Sequence, residues 1–304
     1  MTHASRPIAP LDFLQLVGVA LIWGVNNVLA RVALLDLPPF LVVAVRFAIV
    51  LALIGWRIRP IPRDKWPAFA LMLCCVGPVH FGIQFVGLSL AHDLAPMVVA
   101  MQLWAPASVI FAMALLREHA SPLRLAGVAI AFLGVAGMAF DPIVFSQWGA
   151  LLLVATASCA YGLGAVMVRW MGPATDVWSM QGWIALACTP TMIAATLIFE
   201  PNAAQAAQAA PWFVWAAIAF AGVVSSIGAN AMLFNLVQRY EVSRTTPYLL
   251  ATPVISFTLA GLWLGDHITA RILLGAAITM SGVALVALAE RRFKAVAPVQ
   301  LEPT

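Results

Sequence analysis

Eleven polar or aromatic side chains stand inside long apolar stretches of the chain: Trp23, Asn26, His80, Gln84, Gln102, Trp104, Tyr161, Trp183, Asn230, Tyr248 and Thr252. An amide or hydroxyl left unpaired in such surroundings costs on the order of several kcal/mol, so these groups must face protein, a water-filled cavity or a ligand. Together they offer hydrogen-bond donors and acceptors for a small polar solute and rings to wall its apolar part. The chemistry they suit is binding. Bond-making chemistry would need a helical His-Glu zinc motif or paired carboxylates among the apolar stretches, and the sequence holds neither.

Spacing groups the eleven into patches. In "LIWGVNNVLAR" (21–31), Trp23 and Asn26 are three apart and share a helix face, whereas Asn27 points about 100° further round. His80 and Gln84 are four apart in "GPVHFGIQFVG", just after the loosening Gly77-Pro78 pair. Gln102 and Trp104 precede Pro106, and Gln181, Ser225, Ser226 and Asn235 extend the set. The alternative for each is structural: serine and threonine bond their own helix, asparagine bridges helices and aromatic stripes pack.

The elements that carry these residues are set by composition. Of 304 residues, 63% are apolar and 9% charged, against about 25% charged in a soluble domain. Mean hydropathy is +0.98. This is the composition of an all-α membrane protein. Runs of about 20 apolar residues, each long enough to cross a bilayer, predict ten helices over 13–34, 40–57, 67–90, 95–116, 122–140, 149–171, 177–198, 212–236, 243–264 and 270–290. The longest gap is the Ala/Gln segment 200–211, so no soluble domain is expected between the helices. The N-terminus lacks the pattern of a cleaved leader. Cys74, Cys75, Cys159 and Cys188 fall inside predicted helices without metal-type spacing and read as packing residues, so neither a metal nor a cofactor is expected.

Charge sets the orientation. With ten alternating helices, thirteen of the sixteen Lys and Arg residues, among them Arg6, Arg57, Arg59, Arg169, Arg244 and Arg291, fall on one side. The positive-inside rule makes that side cytoplasmic, with both termini there, in a bacterial-type inner membrane. The basic balance is thus explained by lipid and needs no nucleic-acid partner. Eight of the eleven Trp residues sit near helix ends, where an aromatic belt forms; Trp23, Trp104 and Trp183 do not.

An internal repeat divides the chain at 1–141 and 142–304. Trp23-Gly24, with Arg31 beyond it, corresponds to Tyr161-Gly162, with Arg169 beyond it. "REHASPLRLAGVAIAFLG" (117–134) aligns with "GDHITARILLGAAITMSG" (265–282), pairing Glu118 with Asp266, Gly127 with Gly275 and Gly134 with Gly282; Pro106 pairs with Pro253 after a one-residue gap. Five helices per copy is an odd number, so the second copy enters the membrane from the opposite side. Two inverted five-helix repeats are a transporter architecture, with the substrate between them near the midplane. One chain supplies both halves, so a monomer suffices.

The residues also carry a family resemblance. "LIWGVNNVLAR", the in-helix Arg46 of "VVAVRFA", the helix-four proline with its acidic end in "APASVIFAMALLREHAS" and the glycine helix "LAGVAIAFLGVAGMAF" together resemble the drug/metabolite transporter superfamily, in its ten-helix branch with two EamA-type domains. Within it the chain is most similar to the YddG-type amino acid exporters. The resemblance implies export of small metabolites, often amino acids, from the cytoplasm by alternating access.

Acidic residues bear on coupling. All twelve fall in loops or at helix ends, and proton-driven pumps place an Asp or Glu in the pathway. The expected mode is therefore facilitated diffusion. The alternatives are coupling through His80, the intramembrane group suited to switching, and export of drug-like or nucleotide-derived compounds. Arg46 is expected to serve structure, beside helix-end carbonyls or an acid of another helix, with a substrate carboxylate as the alternative. Glu118 and Asp266 are expected to cap the helices next in sequence or to pair with a cation. Pro78, Pro106, Pro190 and Pro253 are candidate hinges, with Pro106 and Pro253 as gating bends on opposite sides.

Overall fold

A computed structural model describes residues 9–171, 176–240 and 248–296, with the side chains of Arg169, 237–239 and 290–296 outside the description. Ten apolar helices form the body: α1 Pro10–Asp36, α2 Pro39–Arg57, α3 Arg63–Leu90, α4 Leu94–Leu116, α5 Pro122–Met138, α6 Trp148–Val168, α7 Val177–Phe199, α8 Trp212–Leu236, α9 Ala251–Leu264 and α10 Ala270–Ala289. Eight have the length and hydropathy to cross a bilayer unaided, and α5 and α9 are shorter apolar helices beside them. The predicted start of the ninth helix at 243, together with Arg6, Arg244, Glu241 and Glu302, lies outside the described residues. Proline stands in the first turn of α1, α2 and α5, where its missing N–H is lost at no cost. Within the gap between α7 and α8, Ala203–Ala209 is a short helix, as five alanines within seven residues favour.

The two halves meet at a seam of α5 and α10. A Cβ on Gly127 would lie 2.9 Å from the carbonyl oxygen of Gly282, and one on Gly282 would lie 2.7 Å from that of Gly127. Gly134 and Gly275 face each other in the same way, at 2.8 and 2.9 Å. Gly127 is the repeat partner of Gly275, and Gly134 of Gly282, so each glycine touches the repeat partner of its neighbour on the same helix. That reciprocity is the signature of a two-fold contact. Only the loss of every Cβ lets the backbones approach so closely.

Other pairs obey the same symmetry. α1 packs on α8 and α9, as α6 packs on α3 and α4. A Cβ on Gly24 would meet Ile255 of α9, and one on Gly162 would lie 3.0 Å from the backbone of Ser108, the equivalent position of α4. The ends of α4 and α9 match closely. Arg117 and Gly265 are both left-handed, with φ 54° and 73°. After each, the next amide reaches back six residues, Glu118 to Ala112 at 3.4 Å and Asp266 to Ala260 at 3.3 Å.

The prolines interrupt helices in two ways. Pro106 and Pro253 each stand three residues after a leucine, Leu103 and Leu250, whose ψ of −13° breaks the helix. A proline ring clashes with the carbonyl four residues earlier and offers it no N–H, so the break falls where the ring demands. In α3 the turns widen over Cys75–Val79, and Gly77 leaves helical geometry at φ −96°, ψ −107°, just before Pro78. Pro190 sits inside a continuous α7.

Acids serve the helix ends across the repeats. Asp266 accepts from the amides of Leu94 and Ala95 at 2.6 and 2.9 Å, so it caps α4 of the other half and not α10, the next helix in sequence. Asp93 returns the contact by accepting from the His267 amide at 2.8 Å. Glu200, after α7, caps α2 through the amides of Phe40 and Leu41. Burial pushes the Asp266 carboxyl above the usual carboxylate range, against the opposing pull of its two amide bonds.

Candidate functional site

The irregular turns of α3 end at His80, and they re-aim the second half of that helix. His80 Nδ1 lies 2.9 Å from the carbonyl oxygen of Ala157 on α6. A carbonyl only accepts, so Nδ1 carries a proton and donates to it. The imidazole sits 4.9 Å from the Tyr161 ring and 4.8 Å from Phe81. Tyr161 meets Trp104 edge-on at 5.8 Å, and Phe81 meets Phe47 at 4.7 Å. Five aromatic rings from α2, α3, α4 and α6 thus form one chain, and they come from both repeats.

Arg46 closes that chain on the α2 side. It is 6% exposed, and at 1.5 Å per residue it lies about 10 Å inside the helix that starts at Pro39. Its Nε and Nη2 donate to Ser226 Oγ of α8 at 3.1 and 2.9 Å. Its guanidinium carbon sits 5.3 Å from the Phe81 ring and 5.8 Å from Phe47, in cation–π range. Neither a helix-end carbonyl nor an acid is its hydrogen-bond partner among the described residues. The structural expectation for Arg46 named both, and the structure supplies a serine and two rings.

Helix α1 carries two further amides, Asn26 and Asn27. Asn27 Nδ2 donates to Ser256 Oγ of α9 at 3.1 Å, so this amide bridges helices. Asn26 is buried, and its Oδ1 has no hydrogen-bond partner among the described residues, nor does the hydroxyl of the buried Thr252 on α9. Such orphans are rare in folded proteins and mark a place where water or a solute is expected. Trp23 is half-buried one turn before Asn26.

Of the eleven residues singled out by sequence, His80, Trp104 and Tyr161 are joined by direct ring contacts. Gln84 is one turn beyond His80, with its amide 3.8 Å from Met101 Sδ on α4. Gln102 lies in the break just before Trp104. Asn230 bonds the carbonyl of Ser226, the residue that holds Arg46, at 2.9 Å. Two lie elsewhere. Trp183 donates to the Arg59 carbonyl at 3.0 Å and packs on Trp66 and Phe69, in a separate aromatic knot by the α2–α3 connection. Tyr248 meets Phe13 at 5.5 Å, at the start of α1. Phe47, Phe81 and Ser226 belong to the cluster but not to the set of eleven; of these only Ser226, a hydroxyl in an apolar helix, carries a signal in the sequence.

The same two-part organisation is found among known proteins. The model of the EamA-like transporter family matches residues 12–140 and 147–288, one repeat each. The chain belongs to the EamA-like transporter family. The transporter is 27% identical to a probable amino-acid metabolite efflux pump of Salmonella typhimurium over 87% of its own length and 91% of the relative's. It is 24% identical to a protein of the same description from Escherichia coli, with the same coverage. A solved crystal structure superposes with a TM-score of 0.60 at 21% identity, covering 93% of this chain and 99% of that one, which supports the fold. The protein is therefore a multi-pass membrane transporter of small molecules and not an enzyme.

Proposed function

We propose that this transporter exports amino acids with aromatic or other neutral side chains from the cytoplasm, by alternating access and without ion coupling. The observation that carries the reading is the ring chain Trp104–Tyr161–His80, assembled from α4, α6 and α3 and so shared by both repeats. A site built from both halves is remade whenever one half moves against the other, which alternating access requires. The two relatives named as amino-acid metabolite efflux pumps support the substrate class. The units that move are residues 1–141 and 142–304, with the breaks at Leu103 and Leu250 as matched hinges on opposite sides. The cation distribution supports cytoplasmic termini in an inner membrane. Trp23, Asn26 and Thr252 complete the lining.

Uncoupled transport is supported by the carboxylates, all of which the sequence places in loops or at helix ends. The rival is proton coupling through His80, whose place in the ring chain favours it as the one alternative carrier. Counterflow in proteoliposomes separates the two. The expected result is exchange of a labelled aromatic amino acid that is indifferent to an imposed pH gradient and lost in Trp104→Ala. Accumulation driven by the gradient and abolished in His80→Gln would establish coupling, and exchange of lipophilic cations alone would replace the amino acid reading.

A further inference from the structure

We infer that Arg46 is the anchor for a carboxylate, and that the site therefore selects monocarboxylates whether or not they carry an amino group. This rests on the reading of the ring chain as the transport site. The guanidinium has two edges able to grip a carboxylate. Ser226 occupies the side edge, formed by Nε and Nη2. The end-on edge of Nη1 and the second Nη2 hydrogen has no partner among the described residues, and it is an edge that can pair bidentately with a carboxylate. Ser226 and the rings of Phe47 and Phe81 fix the plane of the group, so its direction is set before any ligand arrives.

The charge balance points the same way. A cation buried in an apolar bundle is costly unless an anion joins it. The described acids cannot supply that anion. They lie at helix ends and in loops, where Asp141, Asp176, Glu200 and Asp266 are engaged with helix-end amides and Asp93 with the His267 amide of the α9–α10 connection. The substrate's own carboxylate is the group that neutralises Arg46. By the same shortage, no acid among the described residues pairs with a substrate ammonium by charge. A hydroxyl in its place keeps every favoured contact, and a substrate that offers only an ammonium meets Arg46 as a like charge.

Four compounds of one shape decide it: L-phenylalanine, L-3-phenyllactate, L-phenylalaninamide and phenethylamine, competing for counterflow of labelled phenylalanine in proteoliposomes. The acid and the hydroxy acid are expected to compete within about fivefold of each other, and the amide and the amine at least tenfold more weakly. Arg46→Gln is expected to lose at least tenfold in affinity for both acids and to erase the preference over the amide, with Arg46→Lys retaining part of it. Ser226→Ala, which leaves the charge in place, is expected to weaken both acids several-fold by freeing the guanidinium. Thermal unfolding of each variant in detergent checks that it folds, and ligand-induced shifts in Tm give a second reading of binding where transport is lost.

Equal competition by all four compounds, or unchanged preference in Arg46→Gln, overturns the role of Arg46 while the transport site stands. Competition by phenylalanine but not phenyllactate overturns the claim that the amino group is dispensable. Failure of every compound to compete or bind overturns the amino acid reading itself, and this inference with it.

Discussion

The α5–α10 seam gives a prediction whose size is set by geometry. In Gly282→Ala the new methyl would lie 2.7 Å from the Gly127 carbonyl oxygen and 2.8 Å from the Ala131 Cα, both of them backbone atoms that no rotamer change can move. Ordinary contact needs about 3.4 Å or more, so the helices must separate by several tenths of an ångström along their whole crossing. Overpacking of this kind costs about 1–3 kcal/mol. For a chain of this length that is a fall in Tm of roughly 2–5 °C. Gly137→Ala is the internal control, since no atom lies within 4 Å of a Cβ there; its expected change is zero or a small gain, because alanine is the better helix former by up to about 1 kcal/mol. The double variant Gly127→Ala with Gly282→Ala should cost less than the two single losses combined, because one separation relieves both clashes. Thermal unfolding of the purified protein in a single detergent reads all four. Equal losses in Gly282→Ala and Gly137→Ala would refute the two-fold seam.

Asp266 and Trp183 give two further expected outcomes. The folded-state pKa of Asp266 is raised by burial above its unfolded value, so the folded protein binds this proton at higher pH than the unfolded chain does; stability from this group therefore rises as pH falls through the folded value and is lost as pH rises through it. The Tm difference between wild type and Asp266→Asn should accordingly shift in favour of wild type on acidification from neutral pH, and a pH-independent difference would count against it. Trp183→Phe removes the bond to the Arg59 carbonyl and leaves the ring chain untouched, so it should lower Tm while changing the affinity for phenylalanine by less than twofold in competition counterflow.

Much of this fold is written in local sequence. Hydropathy runs mark the ten helices, and glycines seven residues apart mark both the repeat and the seam, because close helix approach demands a missing Cβ. Proline positions locate the breaks at Leu103 and Leu250 for an equally local reason. What local sequence does not carry is which neighbour a side chain meets. Arg46 reads as an isolated cation until α8, 180 residues away, brings Ser226 to it. Asp266 looks like the cap of its own next helix, and the inverted packing turns it instead to α4. Trp183 and Tyr248 have the right chemistry for a binding wall, but their ring partners are Trp66, Phe69 and Phe13 and not the ring chain, and those neighbours are not visible from spacing alone. His80, Trp104 and Tyr161 come together because Gly77-Pro78 displaces the second half of α3, an effect that sequence can flag as a loosened helix but cannot aim.

A carboxylate-bearing aromatic substrate held between Arg46 and the rings of Trp104 and Tyr161 is the core of the transport proposal. Crystals grown with 4-bromophenylalanine and measured at the bromine absorption edge test it most directly. The expected result is one anomalous peak beside Trp104 and Tyr161, with the ligand carboxylate on the end-on edge of Arg46. A peak confined to the apolar groove lined by Phe40, Gly82 and Met192 on the flank of α3, or a bound ligand whose carboxylate turns away from Arg46, would contradict it.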